Sequence, residues 1–423
     1  MKAIANPFFA RMRSILKHDG GDLMDQTKVI DLAKLVGSGQ CYLHHELDRI
    51  EGLIPSPAPS NHAPHLAELD NGDLLCVWFG GSDEGAGDIK IYLSRLDADS
   101  ARWSEPVRLS DDFSRAEQNP ALFRTPDGEL WLTHTSMETR GCTLEEWQEK
   151  LRKKEASGPY AMQHTSVVVR RISRDNGRTW EPAHIWIDKP GSFCRHPVTV
   201  TQNGNWLFPV WRSTLDETRQ FGHDKSSVYV SKDRGATWTE VEIPGSQGRV
   251  HPSIVETDSG KLVAFFRSRN ADRIYRSESP DGGESWTVPE RTDLPNNNAS
   301  IHAAKLKSGA IAIVFNQCHA NDDPNVVVWP YERYPVTVAL SDDDGVTWPY
   351  MRIVEPGDQY AGEQNKKFNR RYEYPSILQT KDGMIHIAYA YGNRTHIKYV
   401  SFSEDWIRGT EKIKWPWDNF PMQ

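Results

Sequence analysis

An eight-residue pattern, Ser-x-Asp-x-Gly-x-Thr/Ser-Trp, recurs along this chain and restricts its fold more than any other feature. The strong copies follow runs rich in β-branched residues, which favour a strand before each copy. The pattern predicts a hairpin turn in which the Asp accepts backbone N–H bonds, the Gly adopts a positive φ and the Trp packs between neighbouring units. The strong copies are SRDNGRTW (173–180), SKDRGATW (231–238), SPDGGESW (279–286) and SDDDGVTW (341–348), and degenerate copies lie at 94–103 and 403–406.

A second pattern alternates with the first and consists of a polar entry, an apolar strand, a turn with Gly and another apolar strand. Six copies start 50 to 80 residues apart, and each is followed by one copy or remnant of the octapeptide. Two hairpins per repeat make a four-stranded blade, so the repeats predict an all-β, six-bladed β-propeller. A seventh blade, made from the termini or from an insertion, is the alternative. The copies begin at His62, Asn119, His196, His251, His302 and Tyr374.

The positions of the repeats predict the domain boundaries. We expect an N-terminal extension over 1–27, a single propeller domain over 28–415 and a C-terminal tail over 416–423. Only about three strands follow Tyr374, so the segment 28–47 is expected to supply the missing outer strand of the last blade and to close the ring.

Two insertions interrupt the repeats. The first, at about 141–158, is predicted to be a helix in which Thr143 and Glu146 form a capping box. The second, 317–335, is polar and aromatic without periodicity. Each insertion is a lid, an oligomer contact or a loop that only decorates the propeller.

Composition limits the partners of the chain. A net charge of −8 and a pI near 6.0 argue against nucleic acid, because phosphate binding needs a basic face. The five cysteines are widely spaced and odd in number, so no disulfide framework is predicted. The apolar runs are too short to span a membrane, and Pro7, Arg11 and Arg13 interrupt any apolar core of a signal peptide. We therefore expect a cytoplasmic protein with no nucleic-acid or membrane partner.

The octapeptides and blade openings resemble those of the Asp-box (BNR-repeat) propellers of the sialidase superfamily, over residues 50–410. The resemblance is strongest to proteins labelled predicted neuraminidases, whose blade openings read like SNHAPHLAELDNGDLL and LPNNNASIHAAKLKSG here. In this superfamily the Asp boxes lie on the blade periphery, away from the active site. The resemblance therefore implies structural roles for Asp175, Asp233, Asp281 and Asp343.

The resemblance also implies where an active site would lie. True sialidases open their first blade with Arg-Ile-Pro, whose Arg is one of three that bind the substrate carboxylate, and they use a Tyr nucleophile paired with a Glu. An imidazole cannot replace the Arg fully, because it lacks the planar fork of a guanidinium. The equivalents here are Asn61-His62-Ala63 at the Arg-Ile-Pro position, Tyr374 with Glu373 or Glu363 as the nucleophile pair, and Asp83, Glu84 or Asp88 as the acid/base.

Histidines at the blade openings add further candidates. The innermost strands of a propeller start near the central channel, so we expect these imidazoles to form a functional site or a polar plug that fills the channel. Convergent imidazoles can bind zinc, but the spacing across blades does not establish such a site, and no metal or cofactor is predicted. Arginines in phase with the openings are expected to hold a carboxylate. The candidates are His62, Tyr374, Glu373, His251 and Asp88 for catalysis, and Arg195, His196, Arg267, Arg269, His302, Asn298 and Asn119 for substrate binding.

These candidates favour a carbohydrate-active enzyme that cleaves the bond of a terminal sugar in a uronate- or sialate-containing oligosaccharide or polysaccharide. In a retaining hydrolase Tyr374 is the nucleophile. In a β-elimination, which resembles that of rhamnosyl-glucuronate lyases at the level of the fold, His62 removes the proton α to the carboxylate. The missing first-blade Arg disfavours a conventional exo-α-sialidase. The rival class is a non-catalytic propeller that binds glycan or protein and needs no acid/base set.

Overall fold

The computed structural model shows six antiparallel sheets arranged as the blades of a β-propeller. The prediction of six blades is confirmed, and the described residues contain no sheet for a seventh. The predicted extension 1–27 and the predicted tail 416–423 lie outside the described residues. The structure describes residues 37–44, 47–110, 112, 114–157, 160–213, 223–323, 325–330, 332–357 and 371–409.

The described part of the chain starts with two strands of the last blade, and the other blades then follow in order. The two strands are β1 (Cys41–His44) and β2 (Arg49–Ile54). Blade 1 contains β3 (Ser60–Glu68), β4 (Leu74–Gly81), β5 (Lys90–Leu96) and β6 (Val107–Arg108). Blade 2 contains β7 (Arg115–Arg124), β8 (Leu130–Glu138), β9 (Val167–Ser173) and β10 (His184–Ile187). Blade 3 contains β11 (Ser192–Cys194), β12 (Thr199–Val200), β13 (Trp206–Arg212), β14 (Lys225–Ser231) and β15 (Thr239–Glu242).

The remaining blades repeat the same arrangement. Blade 4 contains β16 (Arg249–Glu256), β17 (Leu262–Ser268), β18 (Arg273–Ser279) and β19 (Glu290–Pro295). Blade 5 contains β20 (His302–Lys305), β21 (Ile311–Asn316), β22 (Val336–Ser341) and β23 (Tyr350–Glu355). Blade 6 contains β24 (Glu373–Gln379), β25 (Ile385–Tyr391) and β26 (His396–Phe402), in addition to β1 and β2.

The ring closes in blade 6, where β2 pairs with β26. The sheet order is β1-β2-β26-β25-β24, so the N-terminal part of the chain supplies two outer strands. A strand that precedes the first blade thus closes the ring, as expected, but that strand is β2 at Arg49–Ile54, outside the predicted segment 28–47, which contributes β1 at the edge of the sheet. Across this seam the Nζ of Lys398 lies 3.0 Å from both Glu51 and Glu355, and all three side chains are buried.

The first strand of each blade lies innermost, and these strands contact one another around the ring: β24 with β3, β3 with β7, and β16 with β20. The core lies between the blades. Phe265 of blade 4, for example, packs against Trp348 of blade 5 with ring centres 5.7 Å apart. Aromatic side chains are well suited to this position because they bury a large apolar area.

Four inner strands carry the same β-bulge, in which two residues oppose a single residue of the neighbouring strand. The first bulged residue has a φ of 52° to 54°, and the second is always Pro. Because Pro has no N–H group, the unpaired position leaves no amide donor unsatisfied. A bulge redirects the side chain that it carries. The bulged pairs are Ala63-Pro64, Asn119-Pro120, His251-Pro252 and Tyr374-Pro375.

The first insertion forms α1 (Leu144–Arg152) and has the predicted capping box. The amide of Thr143 donates to Glu146 Oε2 at 2.8 Å, and the amide of Glu146 donates to Thr143 Oγ1 at 3.1 Å. The second insertion contains no helix or strand in the residues that the structure describes between 317 and 335. It is held to blade 4 by backbone bonds, such as that from Val328 N–H to Arg269 O at 3.1 Å.

The octapeptides form the turns between the third and outermost strands of their blades, as predicted. In the copy at 231–238, Asp233 Oδ1 accepts the amide of Thr237 at 2.8 Å, and Gly235 has a φ of +88°. Ser231 Oγ accepts the amide of Gly235 at 2.8 Å and donates to Asp233 at 2.7 Å. The degenerate copy at 403–406 differs: it caps α2 (Glu404–Arg408), because Ser403 Oγ accepts the amide of Trp406.

No helix in the described part of the chain is long and apolar enough to cross a membrane.

Replacing the buried Ser231 by Ala is expected to lower the free energy of unfolding by about 1 kcal/mol, because the half-buried amide of Gly235 loses its acceptor and Asp233 loses a donor. Asp233→Ala is expected to lower the melting temperature less, because the amide and hydroxyl of Thr237 that donate to Asp233 are exposed and can bond to water instead. Urea unfolding and thermal melts measure both effects, with Lys232→Ala in the same turn as the exposed control. Since these turns lie at the blade periphery, catalytic turnover should stay unchanged. Lost turnover at unchanged stability would contradict the structural role.

Candidate active site

A cleft of about 160 Å³ opens beside Tyr374. The loop after β4, the second insertion and the hairpin between β25 and β26 form its walls. It presents three arginines and two carboxylates, an excess of positive charge that suits an anionic ligand. The lining residues are Asp83, Glu84, Trp329, Pro330, Arg333, Arg371, Tyr374 and Arg394.

Tyr374 is held among cationic groups. Its hydroxyl oxygen accepts a hydrogen bond from Arg267 Nη1. The guanidinium carbons of Arg267 and Arg333 lie 5.4 Å from the ring centre, and that of Arg195 lies 5.8 Å away. A charged donor and neighbouring cations stabilise negative charge that develops on the hydroxyl oxygen.

Two buried side chains orient Arg267 toward Tyr374. Arg267 Nε donates to Asn298 Oδ1 at 2.7 Å, and Nη1 lies 3.2 Å from His251 Nε2. Since a guanidinium has no acceptor, His251 Nε2 accepts, and Nδ1 carries the hydrogen and donates to Ser300 Oγ at 3.0 Å. Burial, with Arg267 next in weight, lowers the pKa of His251 well below its ordinary value, which keeps the imidazole neutral. Burial also lowers the pKa of Arg267, to about 9.

Glu373 joins two arginines beneath the cleft. Its Oε2 accepts from Arg333, and its Oε1 accepts from Arg394 Nε at 2.6 Å. Burial alone would raise the pKa of this carboxyl, but the two guanidiniums hold it well below its usual range. Arg394 also donates to Glu84 Oε2 at 2.6 Å. Glu373 and Tyr374, which were predicted as a pair, are thus neighbours in the chain, and the side chain of each accepts hydrogen bonds from arginine.

His62 is fully buried between these groups. Its ring centre lies 4.1 Å from that of Tyr374, and Nδ1 lies 3.9 Å from Glu373 Oε1. Burial, with Arg394 next in weight, lowers the pKa of His62 well below its ordinary value. The imidazole is thus neutral and packs behind the tyrosine ring.

The bulges correct one sequence expectation about His62. The four opening histidines were expected to share one phase of the repeat. Ala63, not His62, occupies the first bulge position that His251 and Tyr374 occupy in their blades. His62 precedes the bulge and therefore corresponds to Glu373. It reaches Tyr374 from this neighbouring position.

The other opening histidines form a separate buried stack with His65. The ring of His302 lies 4.6 Å from that of His196 and 5.5 Å from that of His65. His302 Nδ1 accepts the amide of Ile377 at 3.2 Å, and burial lowers its pKa to about 3. These rings fill space among the inner strands, as a polar plug would. Among the described residues, no group of three or more His, Cys, Asp or Glu side chains is placed to hold a metal ion.

Two predicted arginines lie behind the cleft. Arg195 Nη2 donates to the backbone oxygens of Pro64 and Tyr374, both at 3.0 Å, and so supports two of the bulges. Arg269 is paired with Asp224 at 2.6 Å, and its guanidinium lies 5.0 Å from the ring centre of Trp329.

Two further candidates lie outside the cleft lining. The Asp88 carboxylate accepts the amide and hydroxyl of Ser82 at 3.0 and 2.8 Å and lines a different cavity. Asn119 is the buried bulge residue of blade 2, and its backbone oxygen lies 3.9 Å from Cys194 Sγ. Of the alternatives named from sequence, Asp83 and Glu84 line the cleft, whereas Glu363 lies outside the described residues.

Sequence reasoning missed five residues that line the cleft: Trp329, Pro330, Arg333, Arg371 and Arg394. Arg333 and Trp329 belong to the second insertion, which has no periodicity, and Arg371 precedes the last blade opening. Arg394 lies in the hairpin between β25 and β26 with a φ of 69°. None of these residues follows a repeat pattern, so no local sequence signal links them to the blade openings.

The fold and the cationic cleft define a sialidase-type propeller, and comparisons with known proteins agree. A family profile described as BNR repeat-like domain matches residues 72–387. The chain belongs to this family, within the sialidase superfamily.

The sialidases to which the chain is similar have low sequence identity to it. A sialidase of Micromonospora viridifaciens is 29% identical over 194 residues, which cover 43% of this chain and 26% of the relative. A sialidase of Bacteroides fragilis (strain YCH46) is 24% identical over 333 residues, which cover 70% of this chain and 56% of the relative. The chain thus spans about a quarter and about half of these proteins. The solved structure of Hadza microbial sialidase Hz136 has a TM-score of 0.62 at 19% identity, with 83% of this chain and 67% of that chain covered.

The buried histidine stack predicts acid sensitivity. The pKa of His302 is about 3 in the folded chain against 6.5 ordinarily, so below pH 6.5 the unfolded chain binds a proton that the folded chain does not. This histidine alone should therefore reduce the free energy of unfolding by about 1.4 kcal/mol per pH unit on acidification. Urea unfolding between pH 6 and pH 4 should show a shallower pH dependence for His302→Gln than for the wild type. His184→Gln, which removes an exposed histidine, should change the slope much less; equal slopes for wild type and His302→Gln would contradict a neutral buried stack.

Proposed function

We propose that this protein is a retaining glycosidase that cleaves the bond of a terminal acidic sugar, with Tyr374 as the nucleophile. The observation that carries the proposal is the hydrogen bond from Arg267 to the Tyr374 hydroxyl beside a cationic cleft. A cationic donor at this oxygen stabilises the negative charge of an attacking phenolate. Tyrosine serves as the nucleophile in sialidases, the class of the relatives named above.

Asp83 is the candidate acid/base. It is an exposed carboxylate of the cleft, and its Oδ1 accepts the amide of Glu84 at 2.8 Å. In the first step, Tyr374 loses its proton to solvent and its oxygen bonds to the anomeric carbon, while the glycosidic bond breaks and Asp83 protonates the leaving oxygen. In the second step, Asp83 takes a proton from water, the water oxygen attacks the anomeric carbon, and Tyr374 is released.

Arg333, Arg371 and Arg394 are proposed to bind the carboxylate of the sugar. A guanidinium has five N–H groups, so an arginine that holds Glu373 through one of them can hold a substrate oxygen through others. Glu373 stabilises this arrangement because it keeps Arg333 and Arg394 in place before substrate arrives. His62 and His251 are proposed as positioning residues for Tyr374 and Arg267.

Elimination by His62 receives less support than hydrolysis. A base must reach the proton that it removes, but His62 is fully buried behind Tyr374. The lowered pKa of its imidazole also makes it a weak base.

The remaining alternatives differ from the proposal in definite ways. A conventional exo-α-sialidase has an arginine from the first blade in its cleft, whereas the cleft arginines described here come from the second insertion and the last blade. A binding platform needs no convergent acid/base set. Here the proposed nucleophile Tyr374 and the exposed carboxylate of Asp83 line the same cleft, which supports a catalytic pair rather than a binding surface alone.

A product assay on sialylated and uronate-capped oligosaccharides tests the proposal. Hydrolysis releases free sugar without a new ultraviolet absorbance, whereas elimination produces an unsaturated uronate that absorbs. The expected result is free sugar alone. An ultraviolet signal would establish elimination, and the absence of any product would favour a binding propeller.

Tyr374→Phe is expected to reduce kcat by roughly 10³-fold or more, because the nucleophilic oxygen is removed. The phenyl ring keeps its packing, but the buried Arg267 loses an acceptor, so we expect a lower melting temperature with the fold retained. Steady-state kinetics with the released-sugar assay measure the effect. Tyr92→Phe, a half-buried tyrosine of blade 1, is the matched control; equal activity of both variants would refute the nucleophile assignment.

His62→Gln separates the positioning role from proton transfer. Gln hydrogen-bonds but cannot transfer a proton near neutral pH, so a catalytic base would lose about 10²–10⁴-fold in turnover. We expect less than about a tenfold loss for the glutamine variant, and a larger loss for His62→Ala, which removes the packing against Tyr374. A large loss of turnover in the glutamine variant, with an unchanged melting temperature, would indicate that His62 is a catalytic base.

A further inference from the structure

A cavity of about 610 Å³ lies at the outer edge of the propeller, between blades 2 and 3. Its walls come from β10, from the connection between β10 and β11, from β14 and from the octapeptide at 231–238. These are outer parts of their blades, whereas Tyr374 lies on an inner strand, so this outer-blade cavity is separate from the cleft. Its volume is typical of ligand pockets, which occupy about 300–1,000 Å³.

Three aromatic side chains form the apolar part of the cavity wall, and each of them is only half-buried: Trp186, Tyr229 and Trp238. Trp238 ends the octapeptide of blade 3. The tryptophans at the same octapeptide position in blades 4 and 5, Trp286 and Trp348, are each only 6% exposed. Blade 3 thus leaves accessible an aromatic surface that blades 4 and 5 cover.

Neighbouring side chains fix the orientation of the two indole rings. The ring centres of Trp186 and Trp238 lie 5.3 Å apart, with the ring planes at 80° to each other. Trp186 also packs against Phe208 at 4.5 Å, and the guanidinium carbon of Arg170 lies 5.0 Å from its ring centre. Trp238 Nε1 donates to Gly235 O at 3.0 Å. A ligand that binds rings held in this way loses little free energy in ordering them.

The polar groups at the cavity carry no excess of positive charge. Asp188 contributes an exposed carboxylate, and Lys189 contributes an ammonium group whose Nζ lies 2.6 Å from Glu240 Oε2. The cleft at Tyr374 differs, because its guanidiniums outnumber its carboxylates. The outer-blade cavity therefore does not attract an acidic ligand as the cleft does.

A neutral hexose matches both the aromatic and the polar part of this wall. The C–H groups on one side of a pyranose ring form an apolar face that can pack flat against an indole ring. The hydroxyl groups at the edge of the same ring can donate hydrogen bonds to the carboxylate of Asp188 and accept them from Lys189. A purely apolar ligand would instead remove water from these charged groups without replacing its hydrogen bonds.

We propose that the outer-blade cavity binds a neutral hexose oligosaccharide, with one sugar ring on Trp238 and its hydroxyls on Asp188. This inference goes beyond the proposed glycosidase function and does not depend on it. In a glycosidase, such a site would hold a glycan chain on the protein while the cleft acts on a terminal sugar.

Isothermal titration calorimetry on the full chain tests the proposal. The probes are two neutral tetrasaccharides, lacto-N-neotetraose and cellotetraose. Asp188→Ala removes an exposed carboxylate and leaves the core unchanged, and Asp99→Ala, an exposed carboxylate of blade 1, is its matched control. Trp238→Ala removes the aromatic surface, and Trp180→Ala, at the same octapeptide position in blade 2, is its control. Arg371→Ala reports on binding in the cleft.

Wild-type protein is expected to bind at least one tetrasaccharide. Asp188→Ala and Trp238→Ala are each expected to raise its Kd at least about tenfold, because a hydrogen bond to a charged group or a stacking surface is lost. The two controls and Arg371→Ala should leave the Kd unchanged. Asp188→Ala decides the test by itself if the tryptophan variants do not fold.

Three results would overturn the proposal. The first is that wild-type protein binds neither tetrasaccharide. The second is that Asp188→Ala has the same Kd as the wild type. The third is that Arg371→Ala weakens binding as much as Asp188→Ala, because the sugar would then occupy the cleft. Turnover is not measured, so each result stands whether or not the protein is a glycosidase.

Discussion

The antiparallel pairing of β2 with β26 is the constraint on which the rest of the propeller depends, because it joins the two ends of the described chain in one blade. Without that seam the inner strand of blade 6 would lack a fixed place beside blade 1. Its buried ion pairs are mutually satisfied, since Lys398 contacts both Glu51 and Glu355, and such pairing offsets the cost of burying charge. The contact of β24 with β3 follows from closure and brings Tyr374 against His62.

The candidate site depends next on buried charged side chains that are held by buried hydrogen-bond partners. Arg333 and Arg394 are held by Glu373, and Arg267 is held by Asn298 and the neutral His251. The left-handed backbone of Tyr374 and His251 is unfavourable for bulky side chains, of order 1–3 kcal/mol each, and the Pro that follows each of them is compatible with the bulge. Donors held in place in this way stabilise charge in a reaction without moving during it, which is the basis of the proposed chemistry at Tyr374.

The sequence predicted the fold well, because local patterns repeat. The octapeptide turns and the capping box at Thr143 each depend on residues within a few positions of one another, and they appear in the structure as expected. Prediction of the site was less complete. Glu373, Tyr374, Arg267 and His251 were named from sequence and do converge, whereas Asp88 belongs to another cavity and His196 with His302 to a buried stack. Arg333, Arg371 and Arg394 were not recognised at all.

By itself, the sequence determined the six-fold repeat, the four octapeptide turns before the outermost strands of their blades and the residue types at each inner strand, because spacing along the chain controls strand pairing and turn geometry. Only the tertiary structure decided which of those side chains meet. Blades bring together residues hundreds of positions apart, so whether Arg394 reaches Glu84 depends on the closed ring and not on any local pattern. Register along the strand matters as well. His62 lies just before the bulge of β3, and Ala63 is the first residue of that bulge. Because successive strand residues point to opposite faces, the position of the bulge decides which side chain enters the site.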